Sequence, residues 1–200
     1  MPSPRHAQFE RTREAILDAA AQAFCDKGYV AATMNDIARA AGYTAPTLYA
    51  YFKGKQDILE SLVDRSVDAI CETFDATYPK GLSFAQRLEF LLRAHYRIAE
   101  EQRHAFLFLL RISNGSETHA RPSRDRSEDI HERLRNWFSD TQDETQEFTH
   151  WPADILATAF TGLSHAFLTR WAQAGGDEAL DGLVPVVLGL FLDGVRSPRP

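Results

Sequence analysis

Apolar positions recur every three to four residues along nearly the whole chain, the period of a helix with one buried face. In the first stretch Phe9, Ile16, Ala19, Ala20, Ala23 and Phe24 share a face, and Gly28 supplies the left-handed position that closes a helix. Thr33 stands where an N-cap belongs. Asp36 follows three residues later, where a carboxylate meets orphan N–H groups and the positive end of the helix dipole. A second helix is therefore predicted over residues 34–41, closed by Gly42. Thr44 caps a third, with Pro46 in its first turn, where a missing N–H does no harm. A fourth stripe, Ile58, Leu59, Leu62, Val63, Val67, Ile70 and Phe74, predicts a helix from Lys55 to about residue 77, before Pro79.

The second half repeats the pattern. Leu88, Leu91, Leu92, His95 and Ile98 form one stripe, and residues 106–112 continue apolar. Residues 113–123 read as loop by composition. A charged helix over 125–140 buries Ile130, Leu134, Trp137 and Phe138, and the polar residues 141–150 read as loop. Pro152 opens a long helix carrying Ile155, Leu156, Phe160, Leu163, Phe167 and Trp171. Gly175 and Gly176 end it, and a last helix is predicted from 177 to about 195. No stretch alternates with period two and no segment repeats. The expected class is all-α, about nine helices.

Charge adds one distinction. The 200 residues carry a net charge of −6. Residues 1–65 hold eight Lys/Arg and eight Asp/Glu, so the whole excess of acid lies beyond them. The first third can accept anions, and the rest repels phosphate. Cys25 and Cys71 sit in apolar helical stretches, which suggests a reducing compartment, inert core thiols and no disulfide. The polar start MPSPRHAQFERTR has no apolar core of a signal peptide. The longest apolar candidate, 180–195, is broken by Asp181, Pro185 and Asp193, so no membrane span or membrane partner is expected and the location is read as cytoplasmic.

The spacing over 33–52 carries the chemistry. Two short capped helices joined at Gly42, with Ile37, Ala38, Ala41 and Leu48 inward, make a helix-turn-helix. Its second helix exposes an N-terminal face on which Thr44, Ala45, Pro46 and Thr47 can meet base edges in a major groove. Tyr49 and Tyr51 offer phenolic donors to phosphate, and Lys55 adds a cation.

The stretch TMNDIARAAGYTAPTLYAYFKGKQDIL resembles the DNA-binding signature of the TetR family of transcriptional regulators, and the preceding TREAILDAAAQAFCDKGY resembles that family's first helix. The resemblance covers about residues 10–65. It implies an N-terminal three-helix DNA-binding domain, residues 1–54, and a ligand-binding and dimerisation domain, residues 55–200. It implies a homodimer on a palindromic operator in duplex DNA, released when a small-molecule effector binds, with Thr33, Thr44, Ala45, Thr47, Tyr49, Tyr51 and Lys55 as DNA contacts. Many members have glycine where Pro46 stands and Val-Ser where Tyr43 and Thr44 stand, so the base sequence read is this chain's own.

Outside the head, Phe74, His95, Phe106, Trp137 and Phe160 are candidate ligand-pocket residues, because such sites are mostly apolar with few polar groups. Leu163, Phe167, Val187, Leu190 and Phe191, on helices rich in small residues, are candidate dimer contacts. The pairs Glu101/His104 and Glu128/His131 have di-metal spacing but lack inward carboxylates from further helices, so neither metal nor cofactor is expected. Ser164 and His165 are adjacent on a helix and diverge, which does not suit a nucleophile and its base. The expected function is a ligand-responsive regulator, a repressor and not an enzyme. The competing classes are a small-molecule binding protein or enzyme with a vestigial helix-turn-helix, and a regulator that answers to a partner protein.

Overall fold

The computed structural model describes residues 3–116, 120 and 126–196. Among them are nine α-helices, one 3₁₀ helix and no strand: α1 (Pro4–Lys27), α2 (Met34–Ala40), α3 (Ala45–Tyr49), α4 (Lys55–Phe74), α5 (Phe84–Glu101), α6 (Arg103–Ser113), α7 (Ser127–Thr145), α8 (Ala153–Gln173), the 3₁₀ turn Leu180–Leu183 and α9 (Val184–Arg196). The all-α class matches the sequence expectation. No described helix is long and apolar enough to cross a membrane.

Packing divides the chain into two compact units, Met1–Ser66 with Gln102–Asp125, and Val67–Glu101 with Arg126–Pro200. The expected boundary after residue 54 is a division by role. The packing units differ from it because the first part of α4 and all of α6 join the head.

In the first unit Ile16, Leu17, Ala20 and Phe24 of α1 pack with Ile37, Leu48, Phe52, Ile58, Leu59 and Leu62, and with Ala105 and Phe108 of α6. The alanines of α1 let a neighbouring helix approach, and Phe24 meets Phe108 at 5.2 Å between ring centroids. Arg65 reaches Glu14 and Asp18 at 3.0 and 2.8 Å. Both acids are exposed, so these pairs add little.

The second unit is organised around aromatic rings. Phe138 of α7 lies 5.8 Å from Phe84, 6.0 Å from Phe160 and 6.0 Å from Phe191, tying α5, α7, α8 and α9 together. Indole N–H groups close the helix ends: Trp151 donates to the Val195 carbonyl and Trp171 to that of Glu178, both at 2.8 Å.

Three elements differ from the sequence reading. Helix α7 continues to Thr145, through residues expected to be loop, because Thr141 and Gln142 are buried. The Gln142 amide donates to the carbonyls of Phe148 and Trp151 at 2.7 and 2.9 Å, so a polar side chain anchors the turn from inside. Helix α9 begins at Val184, with Pro185 in its first turn, and residues 180–183 form the 3₁₀ turn instead. Helix α4 ends at Phe74. Of the loop expected over 113–123, residues 117–119 and 121–123 lie outside the described residues.

Candidate nucleic-acid interface

Local chemistry sets the geometry of α2 and α3. Thr33 Oγ1 accepts the Asp36 N–H at 3.1 Å, and Asp36 Oδ2 accepts the Thr33 N–H at 3.0 Å, a reciprocal capping box. Lys27 bonds the other carboxylate oxygen at 2.7 Å, and together with Thr33 holds the Asp36 carboxyl well below the usual carboxylate range. The Thr33 hydroxyl also donates to Asp36 at 2.6 Å. Its proton is therefore used within the cap, and it can meet DNA only as an acceptor.

Helix α2 ends in a Schellman motif. The Tyr43 N–H bonds the Ala38 carbonyl at 2.8 Å and the Gly42 N–H bonds that of Arg39 at 3.2 Å. Gly42 sits at φ +74, in the left-handed region that favours glycine. The chain reverses there and delivers Thr44, whose Oγ1 accepts the Thr47 N–H and lies 2.9 Å from the Thr47 hydroxyl. Helix α3 is about one and a half turns long and is pinned by Leu48, which is fully buried. Thr44, Pro46 and Tyr49 are exposed, and Ala45, Thr47 and Tyr51 half-buried. The candidate groups thus share an outward surface around a single buried anchor.

Lys55 departs from expectation. Its ammonium donates to the carbonyls of Tyr29, Val30 and Ala32 at 2.8, 3.1 and 2.7 Å, and lies 4.9 Å from the centroid of the Tyr29 ring. Three N–H groups meet three acceptors. A phosphate contact would have to replace one of these bonds; in this structure the lysine holds the connection between α1 and α2.

Two contacts from α1 were not read from sequence. Phe9, placed on the buried stripe, is 42% exposed and stacks on Tyr51 with centroids 4.6 Å apart. The Tyr43 hydroxyl lies 3.5 Å from Thr12 Oγ1. The helical spacing of Phe9, Thr12 and Ile16 was the available signal, but nothing in it says where the partners lie.

In the second unit the ligand candidates separate. Phe74 meets His95 edge-on at 5.3 Å. Phe74 and Trp137 line an open cleft of about 490 Å³ with Tyr78, Arg87, Asp140 and Glu144. Phe160 is 2% exposed inside the aromatic cluster, and the residues lining that cleft do not include it. Phe106 is carried by α6, in the first unit. The Thr73 hydroxyl donates to the Ile70 carbonyl, so His95 Nε2, 2.8 Å away, must be the donor to Thr73. Burial pushes this imidazole down to about 4, which keeps it neutral.

The dimer candidates separate too. Leu190 is 57% exposed, and Leu163 and Phe167 are half-buried. Val187 and Phe191 are 0% and 4% exposed, buried within the unit's own core. Val186, read from sequence with the same apolar stripe of the last helix, and Ile155 of α8 are exposed as well. Burial raises the thiols of Cys25 and Cys71 above the ordinary value. No group of three or more His, Cys, Asp or Glu among the described residues is placed to hold a metal ion.

Comparison with known proteins places this geometry. Residues 16–62 match the family described as bacterial regulatory proteins, tetR family. The HTH-type transcriptional repressor KstR2 of Rhodococcus jostii is 25% identical over 94% of this chain and 92% of its own. Other curated relatives are matched over less than half of their own length. The fatty acid degradation regulator FadR from Bacillus halodurans has the same fold, with a TM-score of 0.75 over 99% of this chain and 100% of that one at 19% identity. So does FadR from Bacillus subtilis, solved in complex with stearoyl-CoA, with a TM-score of 0.68 over 90% and 98% at 20% identity.

Proposed function

We propose that the chain, whose residues 16–62 match the tetR family of bacterial regulatory proteins, is a ligand-responsive transcriptional repressor whose helix α3 enters the major groove of duplex DNA. The observation that carries this reading is the outward face of α3. Leu48 is its one buried residue, and hydroxyl, methyl and phenol groups crowd the surface it leaves open. Thr44, Ala45, Pro46 and Thr47 meet base edges, and Tyr49 and Tyr51 meet phosphate. Thr33 supplies an acceptor at the rim. Lys55 acts by position, holding the start of α4 to the turn before α2. With residues 1–65 neutral, directed donors and two-fold repetition do more than bulk charge.

By role, residues 1–54 bind DNA, and residues 55–200 bind effector and a second protomer. Apolar Ile155 of α8 and Val186 and Leu190 of α9 are exposed, and Leu163 and Phe167 of α8 are half-buried. A Cβ built on Gly162 or Gly189 would meet nothing within 4 Å. These glycines therefore serve no close approach inside the chain, which supports a partner helix lying over them. A homodimer places two α3 helices on half-sites about 34–36 Å apart.

A relative of the same fold is solved with stearoyl-CoA, which supports a small-molecule effector here without identifying it. The cleft beside Phe74, Tyr78 and Trp137 is of ligand size. An effector that prefers the conformer whose α3 spacing mismatches the operator weakens DNA binding about 5–150-fold for a coupling of roughly 1–3 kcal/mol. We assign the protein no catalytic role and place it in the cytoplasm, with its DNA. The test is selection of duplexes from a random pool, followed by binding at several salt concentrations. Enrichment of a palindrome with salt-dependent affinity is expected. Retention that ignores ionic strength would leave a protein with a vestigial head.

A further inference from the structure

The contacts of α1 extend the DNA surface beyond the helix-turn-helix, on the reading that Tyr49, Tyr51 and α3 face the duplex. Arg5, Phe9, Thr12 and Ile16 follow one another at i, i+4, i+7 and i+11, one face of a helix. Ile16 is fully buried in the head. Thr12 lies against the Tyr43 hydroxyl, and Phe9 stacks on Tyr51. The face thus runs out of the core past the two tyrosines that flank α3. Arg5 is exposed and stands one turn, about 6 Å of helix axis, beyond Phe9.

We propose that Arg5 is a DNA-backbone contact, its guanidinium clamping a phosphate next to the one met by Tyr51. Arginine is suited to such a contact, because it is always charged and its fork matches two phosphate oxygens. The stack of Phe9 on Tyr51 fixes where the arginine starts from, so the contact needs no ordering of the helix. Arg11 provides an internal control. It lies nearly two turns further along the same helix but about 120° around it, and its guanidinium bonds Gln8 at 3.0 Å. A charge effect of the whole helix would act through both arginines, and a directed contact only through Arg5.

The probe is a duplex selected from a random-sequence pool by the unaltered protein. Its affinity is measured against salt for the unaltered protein and for Arg5→Ala, Arg5→Lys and Arg11→Ala. The proposal expects Arg5→Ala to flatten the slope of log affinity against log salt by about 0.9 per protomer. Arg5→Lys should keep the slope, and Arg11→Ala should leave both slope and affinity in place. An unchanged slope in Arg5→Ala overturns the proposal, as does an equal loss in Arg11→Ala. Failure of the unaltered protein to select any duplex sinks the DNA reading itself, and this assignment with it. Melting temperatures of the four proteins should agree, since both arginines are exposed.

Discussion

The Lys55 ammonium lies 2.7 Å from the carbonyl oxygen of Ala32, across 23 residues of sequence. With Tyr29 and Val30 as its other acceptors, it joins the first residue of α4 to the segment that leads into α2. Lys55→Met removes three charge-assisted bonds and should destabilise the fold by on the order of 1–2 kcal/mol, a fall in Tm of roughly 2–8 °C. The salt slope of DNA binding should stay within error of the unaltered protein. A slope reduced by about one with Tm unchanged would return Lys55 to the phosphate backbone.

Gly42 tests the turn. An added Cβ meets nothing within 4 Å, so the only obstacle to substitution is φ +74. Gly42→Ala should cost about 1–2 kcal/mol and Gly42→Asn clearly less, because asparagine tolerates the left-handed region. Chemical denaturation of both variants measures this. Equal losses would mean that strain at Gly42 does not govern the reversal.

His95 gives the second unit a pH dependence. Its folded pKa, about 4, lies below the unfolded value near 6.5. Between these values the unfolded chain binds more protons, so stability rises with pH. The contribution, on the order of 3 kcal/mol, is complete above about pH 6.5 and is lost as pH falls towards 4. The difference in unfolding free energy between the unaltered protein and His95→Gln should shrink over that window. A difference independent of pH would show that the imidazole is not held neutral by burial.

How much of this was legible depends on the range of the interaction. Thr33, Asp36, Gly42 and Thr44 act within a few residues, so caps and turn could be read directly. Leu48 and Ile37 showed by period alone. The three carbonyls around Lys55 are 23 to 26 residues away, and no local pattern distinguishes a clamping lysine from a solvated one. Residues 141–145 looked like loop because Thr141 and Gln142 are polar, yet the Gln142 amide is buried and bonded to two carbonyls. Periodicity put Val187, Leu190 and Phe191 together, but it cannot tell an inner face from one left for a partner; burial separates Leu190 from the other two.

Leu190 is therefore the residue to charge. Leu190→Glu should convert dimer to monomer in sedimentation at micromolar concentration, with helicity retained, since the side chain is 57% exposed. A dimer that survives would move the interface away from the outer side of α9.

Thr47 and Tyr49 separate base from backbone contact. Thr47→Ala should lower affinity for the selected duplex several-fold more than for random duplex. Tyr49→Phe should weaken both alike. Competition binding with the two duplexes reads the ratio, and a shifted base preference in Tyr49→Phe would remove it from the phosphate.

The placement of α3 in the major groove is tested most directly by methylation interference on the selected duplex. Guanine N7 projects into the major groove and adenine N3 into the minor groove. The account predicts that N7 methylation blocks binding in two patches about one helical turn apart, and that N3 methylation within those patches does not. Interference confined to adenine N3, or absent from both, would contradict it.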